Sequence, residues 1–119
     1  MQIKDILKFQ EEFDSRHHSK FNWNEKLNDN NTEILQFLML CLMGEIGEVS
    51  NLAKKMVRGD FPLHSKKDEL AEELTDVFIY LIKLFNQLEI NIEEEYFKKM
   101  RKNESRFKKY EKKNTRNSL

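Results

Sequence analysis

Two pairs of acidic side chains lie in the most apolar part of the chain, at a spacing that suggests a shared site. Glu45 and Glu48 are three residues apart, and so are Glu73 and Asp76. Residues at i and i+3 are neighbours on a helix, so each pair brings two like charges together. Partial burial raises that repulsion to kilocalories, and a cation can neutralise it. An all-oxygen set suits Mg²⁺, with Mn²⁺ as a substitute.

Other metal sites are less compatible with these residues. Neither acidic pair contains a histidine, which disfavours zinc and a di-iron site built on Glu-x-x-His. His17 and His18 are adjacent, so they point in different directions on a helix and are expected at the surface. The single Cys41 excludes a disulfide framework, and its apolar neighbours predict a core position. The alternative for the four acids is a solvated position beside lysines.

The elements that carry these acids are predicted to be helical, because apolar residues recur with a period near 3.6 almost everywhere. A loop with five asparagines is expected at 19–31. The predicted helices are 3–17, one from 30–32 to Gly59, one from Ser65 and one from Asn91. Asn30 with Glu33 and Asn91 with Glu94 have capping-box spacing. The expected fold is all-α, a four-helix bundle in a single domain over 1–113, with a frayed tail at 114–119.

The start of the second helix is apolar on nearly all sides, since nine of the ten residues at 34–43 are apolar. A single four-helix bundle leaves part of this surface without cover. We therefore expect a homodimer or homotetramer, in which a second copy completes the fold.

Composition excludes several protein classes. Three glycines and one proline in 119 residues are too few for a β-sandwich or barrel. No apolar run reaches the roughly 18–20 residues of a membrane span, so no membrane partner is expected. The first residues resemble no signal peptide, and a reduced cytoplasmic setting is expected.

Charge is divided unevenly along the chain. Residues 1–97 hold 11 basic and 19 acidic side chains, whereas 98–119 hold 10 basic and 2 acidic ones. Such a chain could bind metal in its acidic part and an anion at its basic end. The alternative is that the lysines form an ordinary solvated helix face.

With these motifs in view, the chain resembles the all-α nucleoside triphosphate pyrophosphohydrolases of the MazG superfamily, in its MazG-like or dCTP-pyrophosphatase-like single-domain form. Glu45-x-x-Glu48 is followed after 24 residues by Glu73-x-x-Asp76. Residues 72–81 are similar to the family's E-E-L-x-D-V-x-I-Y-L helix, and 99–107 to its K-M-x-x-N-x-x-R-[YF] segment. The resemblance covers about 34–110.

The resemblance implies Mg²⁺-dependent cleavage of a (d)NTP between the α- and β-phosphates, giving a nucleoside monophosphate and pyrophosphate. It implies that the four acids are catalytic and hold the metal. The substrate contacts that it implies, or that we assign by analogy, are Trp23, Lys55, Tyr80, Lys99, Asn103 and Arg106. Lys99, Asn103 and Arg106 share one helix face, which fits a clamp on a triphosphate.

Two positions depart from the dCTP-specific pattern. Lys55 stands where those members have a tryptophan, which is more similar to MazG-type members and suggests a phosphate contact. Trp23 lies further from Glu45 than the family's aromatic residue does. It is assigned to base stacking, with packing against the second helix as the alternative.

Other functions stay open on the sequence alone. Within the superfamily, the chain could have dCTP, dUTP or phosphoribosyl-ATP specificity. Outside it, 98–116 could belong to a non-catalytic helical module that binds nucleic acid or a partner. The acidic remainder of the chain would repel a polyanion, so nucleic acid is not the expected partner.

Overall fold

The computed structural model describes residues 1–17 and 20–112. Over these ranges the chain is helical and contains no strand, which confirms the all-α prediction. Its α-helices are α1 (Ile3–Arg16), α2 (Thr32–Arg58), α3 (Lys67–Gln87) and α4 (Ile92–Arg106), with short 3₁₀ turns at Leu63–Ser65 and Lys108–Tyr110. The predicted frayed tail at 114–119 and His18 lie outside the described residues. His17 is exposed, as expected.

Two helix ends follow the signals in the sequence. Gly59 ends α2 with φ at 92°, a left-handed conformation that favours glycine. Its N–H donates to the Met56 carbonyl, and the next N–H, of Asp60, donates to the Lys55 carbonyl. At the start of α4, the Asn91 side chain accepts a hydrogen bond from the Glu94 N–H at 3.1 Å.

α2 begins at Thr32, within the predicted range, whereas its capping residue and the start of α3 differ from the prediction. The residue that caps α2 is Asn31, not Asn30, and its side chain makes no cap hydrogen bond. Instead it organises the preceding loop, accepting from the Asn28 N–H at 2.7 Å and donating to the Lys26 carbonyl at 2.9 Å. α3 begins at Lys67, two residues after Ser65, because the 3₁₀ turn occupies 63–65.

The core lies between α2, α3 and the segment between α1 and α2, residues 20–31, which we call the α1–α2 loop. Leu38, Leu42 and Leu84 are buried at its centre. Partly buried side chains pack around them: Phe21, Trp23, Ile34, Leu35, Val77 and Tyr80. α1 packs against α3 on another side. Burying each leucine stabilises the fold by about 1.5–3 kcal/mol.

The chain divides into two compact units, Met1–Glu89 and Ile90–Leu119. The first contains α1, α2 and α3, and the second contains α4 and the 3₁₀ turn at Lys108–Tyr110. Whether 1–113 behaves as a single domain stays a prediction. Within the described residues, no helix has the length and apolar character needed to cross a membrane.

Candidate functional site

Four carboxylates meet where α2 packs on α3, and we call Glu45, Glu48, Glu73 and Asp76 the acidic cluster. Glu45, Glu73 and Asp76 each place one carboxylate oxygen within 4.8 Å of the others. Glu48, which is more exposed, lies close enough to Glu45 and Glu73 to raise the pKa of both carboxyls. The two i,i+3 pairs therefore converge.

The packing of the two helices explains this convergence. On α2 the side chains least exposed to solvent recur at three- and four-residue intervals, at positions 35, 38, 42, 45, 49 and 52. On α3 one series of buried or partly buried positions with the same spacing is 70, 73, 77, 80, 84 and 87, and Ile82 and Lys83 are buried beside it. Glu45 and Glu73 thus occupy positions on the apolar stripes where a leucine would otherwise stand. The helices hold them there because the residues on either side are packed.

The buried oxygens of the cluster lack partners within the described part of the chain. Glu45 Oε2 and Glu73 Oε2 are buried and make no hydrogen bond. No salt bridge among the described residues reaches the four acids, since each of those recorded joins a different acidic side chain. This arrangement disfavours the solvated alternative. It suits a hard divalent cation, which is coordinated by carboxylate oxygens.

The pKa values of Glu45 and Glu73 also reflect their burial and the like charges around them. Burial, followed by the charges of Glu48 and Asp76, raises the pKa of Glu45 above its usual range. The hydrogen bond with Glu48, then burial and the neighbouring charges, raises the pKa of Glu73 to about 7. In the absence of a cation, protonation of Glu73 at neutral pH would partly neutralise the cluster. A metal ion would replace that proton.

Tyr80 lies beside the acidic cluster, one turn after Asp76. Burial, then its hydrogen-bonded neighbour Cys41, and then the charges of Glu45 and Asp76 raise the pKa of Tyr80 to about 12. Its phenol is therefore neutral at physiological pH. Cys41 was predicted only as a core residue, and its position four residues before Glu45 was the available signal that it borders the site.

Trp23 joins this neighbourhood from the α1–α2 loop. Its ring centroid lies 6.1 Å from that of Phe37 on α2 and 6.3 Å from that of Tyr80 on α3. Phe21 packs edge-on against it at 4.6 Å. Packing against the second helix, the alternative for Trp23, is therefore observed. The contact with Tyr80 also links it to the acidic cluster, and its stacking role stays a prediction.

Lys55 is half-buried near the end of α2. Its charge helps to lower the pKa of Asp60, after the larger effects of the Arg58 hydrogen bond and of burial, which acts in the opposite direction. Ten residues of helix separate Lys55 from Glu45, and no described contact joins it to the acidic cluster. Its phosphate contact stays a prediction.

The other three predicted substrate residues lie in the second unit, on α4. Asn103 is partly buried, and its amide donates to Met100 Sδ at 3.8 Å. The Arg106 guanidinium lies 5.0 Å from the centroid of the Phe107 ring. Lys99 is exposed. Their shared face remains compatible with anion binding, and their contact with a nucleotide stays a prediction.

Two further charged residues were missed by the sequence interpretation. Asp14 and Lys83 are buried and joined by a 2.6 Å ion pair beneath Trp23. They are 69 residues apart, so no local pattern could have paired them.

Comparison with known proteins agrees with this geometry. Residues 34–110 match the MazG nucleotide pyrophosphohydrolase domain. The Gene 37 protein of Mycobacterium phage L5 is 37% identical over 60 residues, which are 49% of this chain and 53% of that protein. The chain thus covers about half the length of that relative. No solved structure matches the chain. The domain match covers more than half of the chain, including the acidic cluster and Tyr80, and the chain therefore belongs to the MazG nucleotide pyrophosphohydrolase family.

Proposed function

We propose that the protein is an Mg²⁺-dependent nucleoside triphosphate pyrophosphohydrolase that cleaves a (d)NTP between the α- and β-phosphates. The products are a nucleoside monophosphate and pyrophosphate. The observation that supports the metal dependence is the pair of buried, unpartnered oxygens at Glu45 Oε2 and Glu73 Oε2. The family supports the reaction type. A role in removing unwanted nucleotides from the cytoplasmic pool is consistent with both the metal dependence and the reaction type.

The acidic cluster would hold the cation. Glu45, Glu73 and Asp76 already have oxygens close enough to share one ion. Glu48, which lies beside two of them and raises their pKa, is proposed as the fourth ligand. Mn²⁺ has a similar preference for oxygen ligands and is expected to substitute. When bound, the cation supplies neutralisation of the charge on the phosphoryl oxygens and makes the attacking water more acidic.

The chain's own side chains would perform the remaining steps, which are proton removal and substrate binding. A carboxylate of the acidic cluster takes the proton from the attacking water as it approaches the phosphorus in line. Tyr80, a neutral phenol beside the cluster, donates a hydrogen bond to the substrate. Trp23 stacks on the base. The basic contacts proposed for the triphosphate are Lys55, Lys99 and Arg106, with Asn103 on the nucleotide.

The site includes no group that selects among bases by itself, so the substrate is best identified by a panel. Pyrophosphate release is measured from the common and modified (d)NTPs and phosphoribosyl-ATP, with Mg²⁺, with Mn²⁺ and with chelator. We expect turnover of at least one nucleotide, dependent on the metal. The dCTP- and dUTP-type specificities are outcomes of the same panel.

Removal of single charges tests the site. Glu48→Gln and Asp76→Asn should abolish turnover and leave a folded protein, because each takes away a ligand and also a like-charge repulsion. Glu12→Gln, on the exposed side of α1, is the matched control and should keep the parental rate. Circular dichroism and thermal melting verify folding. Parental rates in both site variants would show that the acidic cluster is not the active site.

We further propose that the protein is a homodimer or homotetramer. Apolar side chains of α2 remain exposed in the single chain, including Leu40 at 66% and Met43 at 56%. A second copy packed on this face would remove them from water.

A further inference from the structure

We propose that Lys83 is a positioning residue that holds Trp23 in register with Tyr80 and the acidic cluster, with Asp14 as its fixed counter-charge. The proposal deepens the proposed function and rests on it, since it concerns how the nucleotide-stacking side chain is placed.

The first observation is that Lys83 is buried, with only 9% of its surface exposed, and Asp14 is buried at 3%. Lys83 Nζ lies 2.6 Å from Asp14 Oδ1, which also accepts a hydrogen bond from Gln10 Nε2 at 3.0 Å. Buried ion pairs are often no more stabilising than apolar residues of the same volume. Stability alone therefore gives little reason for a charge at this position.

The second observation is what the ammonium group faces. Lys83 Nζ lies 4.7 Å from the ring centroid of Trp23 and 5.9 Å from that of Tyr80. A desolvated ammonium over an indole face is attracted by the electron-rich ring. One buried cation thus contacts both aromatic side chains proposed to meet the nucleotide, and Asp14 fixes where that cation lies.

The third observation is that the backbone of the α1–α2 loop is fastened to the same helix. The Gln87 side-chain amide donates to the Trp23 carbonyl, and the Gln87 carbonyl accepts from the Leu27 N–H at 2.8 Å. Lys26 Nζ donates to the Asn86 carbonyl at 3.0 Å. These bonds fix the backbone of the loop. The orientation of the indole ring is then set by the groups that pack on it, which are the neighbouring aromatic rings and the Lys83 ammonium over its face.

The order of residues along α3 connects these contacts to the site. Asp76, Tyr80, Lys83 and Gln87 follow one another at intervals of four, three and four residues, which places them on one face. A single helix therefore carries the α3 half of the acidic cluster, the tyrosine, the cation under Trp23 and the loop anchor. This element relates the position of the stacking ring to Glu73 and Asp76.

Loss of the cation should weaken nucleotide binding and leave the chemical step intact. An interaction made equally in the ground state and the transition state changes KM and not kcat. We expect Lys83→Met to raise KM on the order of tenfold with kcat nearly unchanged. Lys83→Arg keeps a cation over the ring and should recover most of the affinity. Lys67→Met, exposed at the start of α3, is the matched control.

Tryptophan fluorescence gives a readout that does not require turnover. Trp23 is the only tryptophan in the chain, so the emission of the whole protein reports on this ring. Lys83→Met should shift the emission maximum and increase quenching by acrylamide in the absence of nucleotide. Titration with a dNTP analogue that has an imido bridge between the α- and β-phosphates then measures binding. Lys67→Met should match the parent in all three measurements.

Lys83→Met leaves Asp14 buried without a counter-charge and can unfold the protein. The double variant Asp14→Leu/Lys83→Met removes both charges and should fold with a melting temperature near that of the parent. Its KM should rise like that of the single variant. A folded double variant with parental KM, emission and quenching would overturn the proposal. If the parental protein neither binds nor cleaves any nucleotide, the proposed function fails, whereas the quenching comparison still tests whether Lys83 positions Trp23.

Discussion

At the scale of single residues, the site consists of side chains in environments that oppose their charge. Glu73 is the clearest case, with an oxygen buried on an apolar stripe, a shared hydrogen bond to Glu48 and a pKa raised to about 7. A soluble helix normally has an apolar residue at such a position. The i,i+3 spacing of the acids was sufficient to predict this conflict from the sequence, because the spacing is a local property of a helix.

The raised pKa predicts how the metal-free protein responds to pH. A carboxyl whose pKa is higher in the folded than in the unfolded state is more often protonated when folded, so it favours the native state at low pH. That contribution is fully present below about pH 4.5 and is lost as pH rises through about 7. In chelator, the melting temperature of Glu73→Gln should fall less than that of the parent between pH 5 and 8. An equal fall in both would contradict the assignment.

The same proton competes with the cation. Because Glu73 must be deprotonated to bind metal, the affinity for Mg²⁺ should rise with pH across about 7 and then level off. Calorimetric titration of Mg²⁺ at pH 6 and pH 8, in buffers of different ionisation enthalpy, measures the affinity and the released proton. An affinity independent of pH would contradict the protonation of Glu73.

At the scale of elements, helix identity followed from periodicity, and helix ends followed from capping chemistry where the capping residue was free. Gly59 and Asn91 do what their positions predict. Asn31, not Asn30, occupies the cap position of α2. Its side chain makes no cap hydrogen bond, because it bonds within the loop instead. Whether the Asn31 side-chain amide bonds to the loop or to the helix depends on the tertiary structure, and the sequence does not determine it.

Alanine substitution of two glycines, one inside α2 and one directly after it, should change the stability of the protein in opposite directions. Gly59→Ala places a Cβ in a left-handed conformation and should destabilise the protein by about 1 kcal/mol. Gly44→Ala lies inside the helix, where a Cβ would meet nothing within 4 Å in the described residues, and should stabilise by about 0.5–1 kcal/mol. Chemical denaturation compares the two. Destabilisation at Gly44 would mean that another molecule approaches the helix there.

At the scale of the whole molecule, the exposed apolar side of α2 is the feature that a single chain leaves uncovered. Leu40 is more exposed than a leucine on a packed helix should be, although both of its neighbours in the i±2 positions, Leu38 and Leu42, are buried. The apolar side chains on one face of α2 are therefore covered within the chain. The exposed ones on the other face support the proposed second copy.

A charge on that face should dissociate the oligomer. Leu40→Glu is expected to shift the parental dimer or tetramer towards monomer and to lower the melting temperature, because a carboxylate would have to be buried in the interface. Leu63→Glu, at an exposed apolar position in the 3₁₀ turn outside α2, is the control and should leave the oligomer intact. Light scattering at micromolar concentration measures the oligomeric state of the parent and of both variants. A monomeric parental protein would contradict the proposal.

The sequence by itself determined the helical class, the carriers of the acidic pairs and the family, because periodicity, i,i+3 spacing and motif order are all properties of contiguous chain. Only the tertiary structure decided that Glu45 meets Glu73, that Cys41 meets Tyr80 and that a lysine from α3 is paired with an aspartate from α1 beneath Trp23. Those contacts join residues tens of positions apart. Their formation depends on how the apolar stripes of separate helices pack, and no local pattern encodes that register.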